Sequence, residues 1–492
     1  MSDRRPLSNI TSDLSRRSFF NHAGEGLLGT ALATLLSNDL SAAGVEKEPG
    51  YRSIYDLKPQ QPHFEPSAKA VIQLFMQGGP SQVDLFDPKP ALKKYHGKTT
   101  PKEFTEGAFA RDRVGVLMDS SFKFAQHGKT GAWISDALPH MAKEADQLSF
   151  IHSMFNVHSN HEPAIYKMQS GKIFPGHPTF GSWVVYGLGS ENQNLPAFVV
   201  LADPVNKLPT NAVENWQAGF LPPLYQGTPM RPTGSPVLNL QPDYKEPAAV
   251  TAAKRNLLAS LDNIHKKNRP RYNELDARIN NYQLAARMQL EAAQALDVSG
   301  ETKATLEMYG IGDPKTDSFG RRCLLARRLI ERGVRFIQIL PKGQSWDNHG
   351  NIRASLPAAC GAVDKPTAGL LKDLRQRGLL DSTLVLWGGE FGRLPMAQVK
   401  SIDQIAKAGR DHGPYGFTTV MAGGGVKPGV NYGETDEVGY GSVINRVSIQ
   451  DWHATILHLL GINHKKLIYP RNGLMEKLTH VFDAKVVKEI VA

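Results

Sequence analysis

Cysteine is nearly missing from this chain: Cys323 and Cys360 are the only two in 492 residues. So few exclude a disulfide framework. With no Cys-x-x-Cys pair, they also exclude a thiolate zinc cluster or a dithiol redox centre of that kind. Cys323 falls in a helical pattern and reads as a small core residue. One disulfide stays open as an option if the chain is exported. Long Lys/Arg runs are absent too, although the formal net charge is +10. Scattered positive charge without a recognition motif argues against nucleic acid as a partner; phosphate, sulfate or membrane surfaces remain. There is no internal repeat and no low-complexity tract. His127-Gly128-Lys129-Thr130-Gly131 lacks the spacing of a phosphate-binding loop and reads as an ordinary loop. With 41% hydrophobic and 21% charged residues the composition is globular, and the length is ample for a sizeable core.

The first residues read as an address. Ser15-Arg16-Arg17-Ser18-Phe19-Phe20 precedes a weakly apolar stretch, Gly26 to Leu36, and small residues follow at Ser41-Ala42-Ala43. Charged, apolar and small-residue regions in that order form a signal peptide, and the apolar part is too short for a stable transmembrane span. Adjacent Arg16 and Arg17 before Phe resemble a twin-arginine export signal. Residues 1–43 are therefore set apart from the fold, with the twin-arginine translocon as a transient partner and a periplasmic or extracellular destination.

From residue 44 to 492 the chain reads as one α/β domain. Short apolar runs recur at Val71–Met76, Gln147–Ile151, Ala197–Leu201, Phe336–Leu340, Thr383–Trp387 and Phe417–Met421. Helical spacing lies between them, at Leu324, Leu325, Leu329 and Ile330, then at Leu370, Leu371 and Leu374. Alternation of this kind predicts a mostly parallel sheet with helices on both faces. Residues 202–247 read as irregular loop. Residues 248–308 read as a helical insertion, with Leu257, Leu258, Leu261 and Ile264 on one face, either for packing or as a lid or partner surface.

Polar residues gather at the ends of the strands. Gly78-Gly79-Pro80-Ser81-Gln82-Val83-Asp84 follows the first, and His158-Ser159-Asn160-His161-Glu162 the second. Gln344-Ser345-Trp346-Asp347-Asn348-His349-Gly350 follows the Phe336 run, and Gly388-Gly389-Glu390-Phe391-Gly392-Arg393 the Thr383 run. Gly409-Arg410-Asp411-His412 comes just before the Phe417 run. Each alone fits a solvated loop, with Asp347 and His349 capping backbone amides. A parallel sheet would bring several to one edge, where sites form. Mixed carboxylate and imidazole donors suit Zn2+ or Mn2+, with Ca2+ as the remaining option. A divalent ion there would polarise a phosphoryl or sulfuryl oxygen and acidify water.

The order of these motifs resembles the domain of unknown function 1501 family over nearly the whole mature chain, through Gly78 to Pro90, Ser345 to Gly350, Gly389 to Arg393 and Gly409 to His412. That family is similar to the alkaline phosphatase and sulfatase superfamily, which implies a three-layer α/β/α sandwich with a metal site at one sheet edge. The resemblance departs from the superfamily in three places, one being Glu390-Phe391 where a late Asp-Asn or Asp-His pair is expected. His161 stands where sulfatases carry a Cys or Ser nucleophile, and Gly78-Gly79 stand where they carry paired aspartates.

The favoured reading is an exported metal-dependent hydrolase of sulfate or phosphate esters, such as a sulfated polysaccharide. Asp347, His349, Glu390 and His412 hold the ion, with Asp84 and His161 as further donors. Metal-bound water attacks, with Ser81 as the alternative nucleophile, and His161 is a catalytic candidate because it occupies the nucleophile position. Arg393 or Arg410 grips the anion, and His158 contacts substrate. The rival is a non-catalytic exported protein of the same fold that binds a polysaccharide or another cell-envelope component. A third reading is a structural envelope protein. Replacing Arg16 and Arg17 together by lysine is expected to leave the protein in the cytoplasm on cell fractionation. Unchanged export of that variant would remove the twin-arginine reading.

Overall fold

The computed structural model describes residues 56–101, 115–204, 208–234, 237, 246–267, 274–399 and 402–492. All of them lie in the compact unit Tyr55–Ala492. The export signal, with Arg16 and Arg17, lies outside the described residues.

In chain order the strands that matter here are β1 (Ala70–Phe75), β2 (Val116–Leu117), β3 (Ser149–Phe155), β4 (Phe198–Ala202) and β5 (Thr228–Pro229). They continue with β6 (Phe336–Leu340), β7 (Thr383–Gly388), β8 (Gly392–Ala397), β9 (Arg410–Gly413) and β10 (Phe417–Ala422). The last are β11 (Asn431–Tyr432), β12 (Val447–Ser448), β13 (Tyr469–Arg471) and β14 (Leu474–Glu476). The helices are α1 (Gln82–Leu85), α2 (His161–Ser170), α3 (Phe180–Leu188), α4 (Ala248–Lys267) and α5 (Glu274–Leu296). They end with α6 (Asp317–Glu331), α7 (Ile352–Gln376) and α8 (Ile449–Leu459).

The central sheet runs β11-β3-β10-β7-β1-β6-β4-β5, with β12 also on β3. Every pairing in it is parallel except those of β10, which runs against both β7 and β3. The inner strands are buried along their whole length because both sheet faces are covered. Ile72 and Leu74 of β1, Ile337 and Ile339 of β6, and Val199 and Leu201 of β4 share one core with Leu324 and Leu325 of α6 and Leu370 and Leu371 of α7. The alternate residues point the other way, as strand geometry demands. Phe198 and Phe336 meet edge-on, and Phe336 meets Phe180 of α3, which meets Trp452 of α8. The result is the three-layer α/β/α sandwich expected from the alternation of runs.

Two sequence expectations change. Gly392–Ala397 and Arg410–Gly413, read as loop, are strands of a second antiparallel sheet, β9-β8-β2, that stands over the carboxyl edge of the first. Both cysteines are free and buried, so no disulfide joins them. Within 248–308, α4 and α5 are helices, but Leu257, Leu258, Leu261 and Ile264 of α4 remain exposed rather than packed. Among the described residues no helix is long and apolar enough to cross a membrane.

Candidate metal centre

The carboxyl ends of β1, β3, β6 and β7 deliver four loops to one edge, and β9 of the second sheet delivers a fifth segment. The loops touch backbone to backbone because of glycine. Gly78 and Gly79 follow β1 with φ +114° and +84°. A Cβ on Gly78 would fall 2.5 Å from the amide nitrogen of Asp347, so only glycine allows the approach. Trp346, fully buried and set edge-on against Trp387 at 5.5 Å, anchors the segment that carries Asp347.

Four side chains converge there. One donor atom each from His161, Asp347, His349 and His412 lies within 4.8 Å of the others. Asp347 Oδ1 is the centre: His349 Nε2 is 2.8 Å away, and His161 Nε2 and His412 Nε2 are each 3.3 Å away. The other ring nitrogen of each histidine meets an acceptor. His161 Nδ1 is 2.6 Å from Glu390 Oε1, His412 Nδ1 is 2.6 Å from the Ser159 carbonyl, and His349 Nδ1 meets Gln398 Oε1. Behind a neutral imidazole those acceptors hold the proton on Nδ1 and turn the Nε2 lone pair inward. Three such lone pairs and a carboxylate aimed at one point repel one another unless a proton or a cation lies among them. His161 Nε2 is buried without a hydrogen-bond partner, the mark of an atom meant for an ion or a proton. Carboxylate, amide and carbonyl acceptors behind ligating imidazoles are the usual outer support of a metal site. Phe391 closes the inner wall, its ring 5.0 Å from that of His161 and 4.8 Å from that of His412. The His349 side is open, with the side chain about a third exposed.

Electrostatics follow from this geometry. Burial disfavours the charged form of His161, but the carboxylates of Asp347 and Glu390 outweigh it and push the imidazole up to about 9. Burial likewise opposes ionisation of Asp347, yet the three histidines and Arg393 hold it far below the usual carboxylate range. His349 is raised by its bond to Asp347, and His412 is lowered by burial.

Several site assignments from sequence are corrected by what the side chains touch. Arg393 is no anion clamp. It is fully buried, and it donates to the carbonyls of Gly79 (3.0 Å), Gly78, Trp346 (3.2 Å) and Arg410 (3.1 Å) and to Asp347 Oδ1 (2.5 Å). Arg410 is equally committed: Nε and Nη2 hold Asp84 at 2.6 and 3.1 Å, and Nη1 the Pro395 carbonyl at 2.8 Å. Asp84 is thereby an ion-pair partner in α1 rather than a metal ligand. Ser81, fully buried, donates to Asp84 Oδ2 at 2.5 Å and is no exposed nucleophile. Glu390 stands behind His161 and accepts from the Gly78 amide at 3.0 Å, so it lies outside the four converging donors. His161 lies among the converging donors, as its reading as a further donor expects. His158 stays outside the cluster, and its Nδ1 accepts from the Asn160 amide at 3.0 Å. Sequence reasoning missed Gln398, Phe391 and Asn156, whose amide holds the Glu390 carbonyl at 2.8 Å. It also missed the Ser159 carbonyl, which no side-chain pattern can reveal.

A profile of the family described as "Protein of unknown function (DUF1501)" matches residues 68–491. No curated protein matches the chain. Among solved structures, the chain is similar to a protein titled Ps i-CgsB at 10% identity, covering 82% of this chain and 72% of that one with a TM-score of 0.35. It is similar to the PsFucS1 sulfatase from Pseudoalteromonas sp. at 11%, covering 80% and 68% with a TM-score of 0.33. Alkaline phosphatase from the Antarctic bacterium TAB5 matches at 12%, covering 73% and 92% with a TM-score of 0.29. Likeness at this level transfers neither activity nor substrate, and the site's chemistry rests on its own residues.

Two outcomes are expected. Arg393→Ala strands Asp347 and four carbonyls in a buried place and should cost about 3–5 kcal/mol in denaturant unfolding; a loss confined to substrate affinity would instead restore the anion-clamp role. In metal-stripped protein, the raised His161 stabilises the fold fully below the ordinary value of 6.5, and this contribution is lost as pH rises through about 9. Histidine NMR should show that high titration, and Glu390→Gln should lower it. A wild-type value near 6.5 would contradict the geometry.

Proposed function

The chain belongs to the DUF1501 family, and from the site it carries we propose that it is a divalent-metal-dependent hydrolase of phosphate or sulfate esters. The observation that supports this most is the convergence of three Nε2 lone pairs and Asp347 Oδ1, each imidazole fixed from behind. Three nitrogens and one oxygen fit Zn2+ or Mn2+ and depart from the all-oxygen cage of Ca2+. When bound, such an ion supplies positive charge to the ester oxygens and acidifies nearby water.

The rest is done by the chain. His161, His349 and His412 are the ligands, with Asp347 as the carboxylate donor. Glu390 keeps the proton of His161 on Nδ1, which leaves Nε2 free and more basic. Arg393 fixes Asp347 and keeps its charge paired until the ion arrives. The open His349 side admits an ester, while Phe391 keeps water from the inner wall. Because Ser81 is bonded to Asp84, attack falls to water and not to a serine.

One observation favours a second reading. Four protein donors fill a tetrahedral ion completely, as in structural zinc sites. A closed ion would make this an exported protein that binds an envelope polysaccharide or partner without hydrolysing it. Export through Arg16 and Arg17 and a periplasmic or extracellular location are part of both proposals.

Elemental analysis of protein purified without a histidine tag should find close to one divalent ion per chain, lost from Asp347→Ala/His412→Ala. The loaded protein should hydrolyse aryl phosphates or aryl sulfates, and stripping should abolish this. An ion that raises the melting temperature without any hydrolysis selects the second reading. A folded chain that takes up no ion defeats both.

A further inference from the structure

The end of α2 opposite His161 leads to a surface the metal site does not use, about 15 Å away along the helix. Three segments meet there: the loop 171–177, the β13–β14 hairpin and the stretch 478–482. Their contiguity is shown by contacts. Tyr469 of β13 stacks on Phe220 at 5.8 Å, the Arg471 guanidinium lies 5.0 Å over the same ring, and His177 meets that ring edge-on at 5.8 Å. Lys167 lies 4.8 Å over the ring of Phe482, and the Leu478 carbonyl sits directly against Gly171.

This surface is apolar at its tips and basic around them. Phe174, Leu474, Met475, Val481 and Phe482 are 54–81% exposed. Singly exposed apolar residues are ordinary, but five on adjoining segments mark an interaction surface. Leu474 and Met475 are consecutive strand residues and point to opposite faces, so their joint exposure means that the hairpin projects from the body. Residues 464–485 carry five Lys or Arg against two acidic residues. Lys172 adds to them from the neighbouring loop. His177 and His480 are both lowered, by burial first and then by Lys172, which shows how closely the positive charge is gathered.

From this we infer that the 171–177 loop and the β13–β14 hairpin form a docking surface for an anionic lipid bilayer. Apolar tips enter the acyl boundary while lysine and arginine meet lipid phosphates, the division of labour of an interfacial anchor. Two other occupants fit less well. A second copy adding a strand to the hairpin would meet Pro470, which has no amide hydrogen to give. It would also set one basic surface against another. An anionic polysaccharide would satisfy the cations but leave the aliphatic tips of Leu474, Met475 and Val481 in water.

The test uses the full-length chain and vesicles of phosphatidylcholine, with and without about one third phosphatidylglycerol, at about 0.1 M salt. Flotation should show binding to the anionic vesicles only, weakened at about 0.5 M salt. Lys172→Gln/Arg471→Gln should weaken it roughly twenty-fivefold, at about fivefold per cation. Leu474→Ser/Met475→Ser should weaken it at least as much. All four positions lie outside the metal site, so metal content should not change, and the loss of the Arg471–Phe220 contact should move the melting temperature only slightly. Because the segment Gly26 to Leu36 is itself apolar, contact at the hairpin is read separately. Cys323 and Cys360 are buried, so Leu474→Cys can be labelled selectively with a polarity-sensitive fluorophore. Its emission should shift to the blue on anionic vesicles. Undiminished binding by both double variants, equal binding to neutral vesicles, or no spectral shift overturns the inference. So does retention on a sulfated polysaccharide that depends on the same residues while vesicles are ignored.

Discussion

One buried guanidinium sets the geometry of this edge. Arg393 reaches from β8 to the carbonyls of Gly78 and Gly79 after β1, to Trp346 and Asp347 after β6, and to Arg410 on β9. No other residue type could do this: the contacts need a planar, permanently charged group with several donors in fixed directions. Burying such a charge is costly, and it is tolerated only because each direction finds an acceptor. Arg410 and Asp84 repeat the device one layer away and tie α1 to β9. The loops at the carboxyl edge are therefore clamped rather than mobile, and the imidazoles they carry start from fixed positions. Preorganisation of this kind lets a site select an ion instead of wrapping around whichever arrives.

Much of the fold could be read from runs of apolar residues. Val71–Met76, Phe336–Leu340 and Thr383–Trp387 fall within a residue of the observed strands because a strand buried on both faces has to be continuously apolar. The reversed direction of β10 could not be read, since nothing local distinguishes an antiparallel strand in a covered sheet. Nor could β8 and β9. Gly392-Arg393 and Arg410-Asp411-His412 look like polar loop, and their strand character comes from pairing across the chain, Arg393 opposite His412.

The same limit explains the site. Clustering at one sheet edge was legible, and Asp347, His349, His412 and His161 do meet. What a charged residue does in such a cluster depends on whether it points into the opening or between the loops, and composition is blind to that. Arg393, Arg410, Asp84 and Glu390 are as polar as the four converging side chains, yet all four are fully buried behind them. The tight glycines were a usable clue. Where Gly78 and Gly409 let backbones touch, little room remains for solvent, and a neighbouring charge must be paired internally.

This distinction decides how an anionic ester could be held. The inner cluster carries the negative charges of Asp347 and Glu390 and the positive charge of Arg393, so with neutral imidazoles it is short of one positive charge. A proton on His161 balances it, and this is why that imidazole is raised. A divalent ion in place of the proton leaves a surplus of one positive charge, on the open side beside His349. Asp411, about a third exposed and 4.0 Å from His349, offsets part of this through solvent but does not cancel it. Neither arginine can add a hydrogen bond to the ester, since their donors are spent on the protein. Attraction for a phosphate or sulfate group at this edge thus depends on the ion itself, so affinity for the ester and occupancy by metal must rise and fall together.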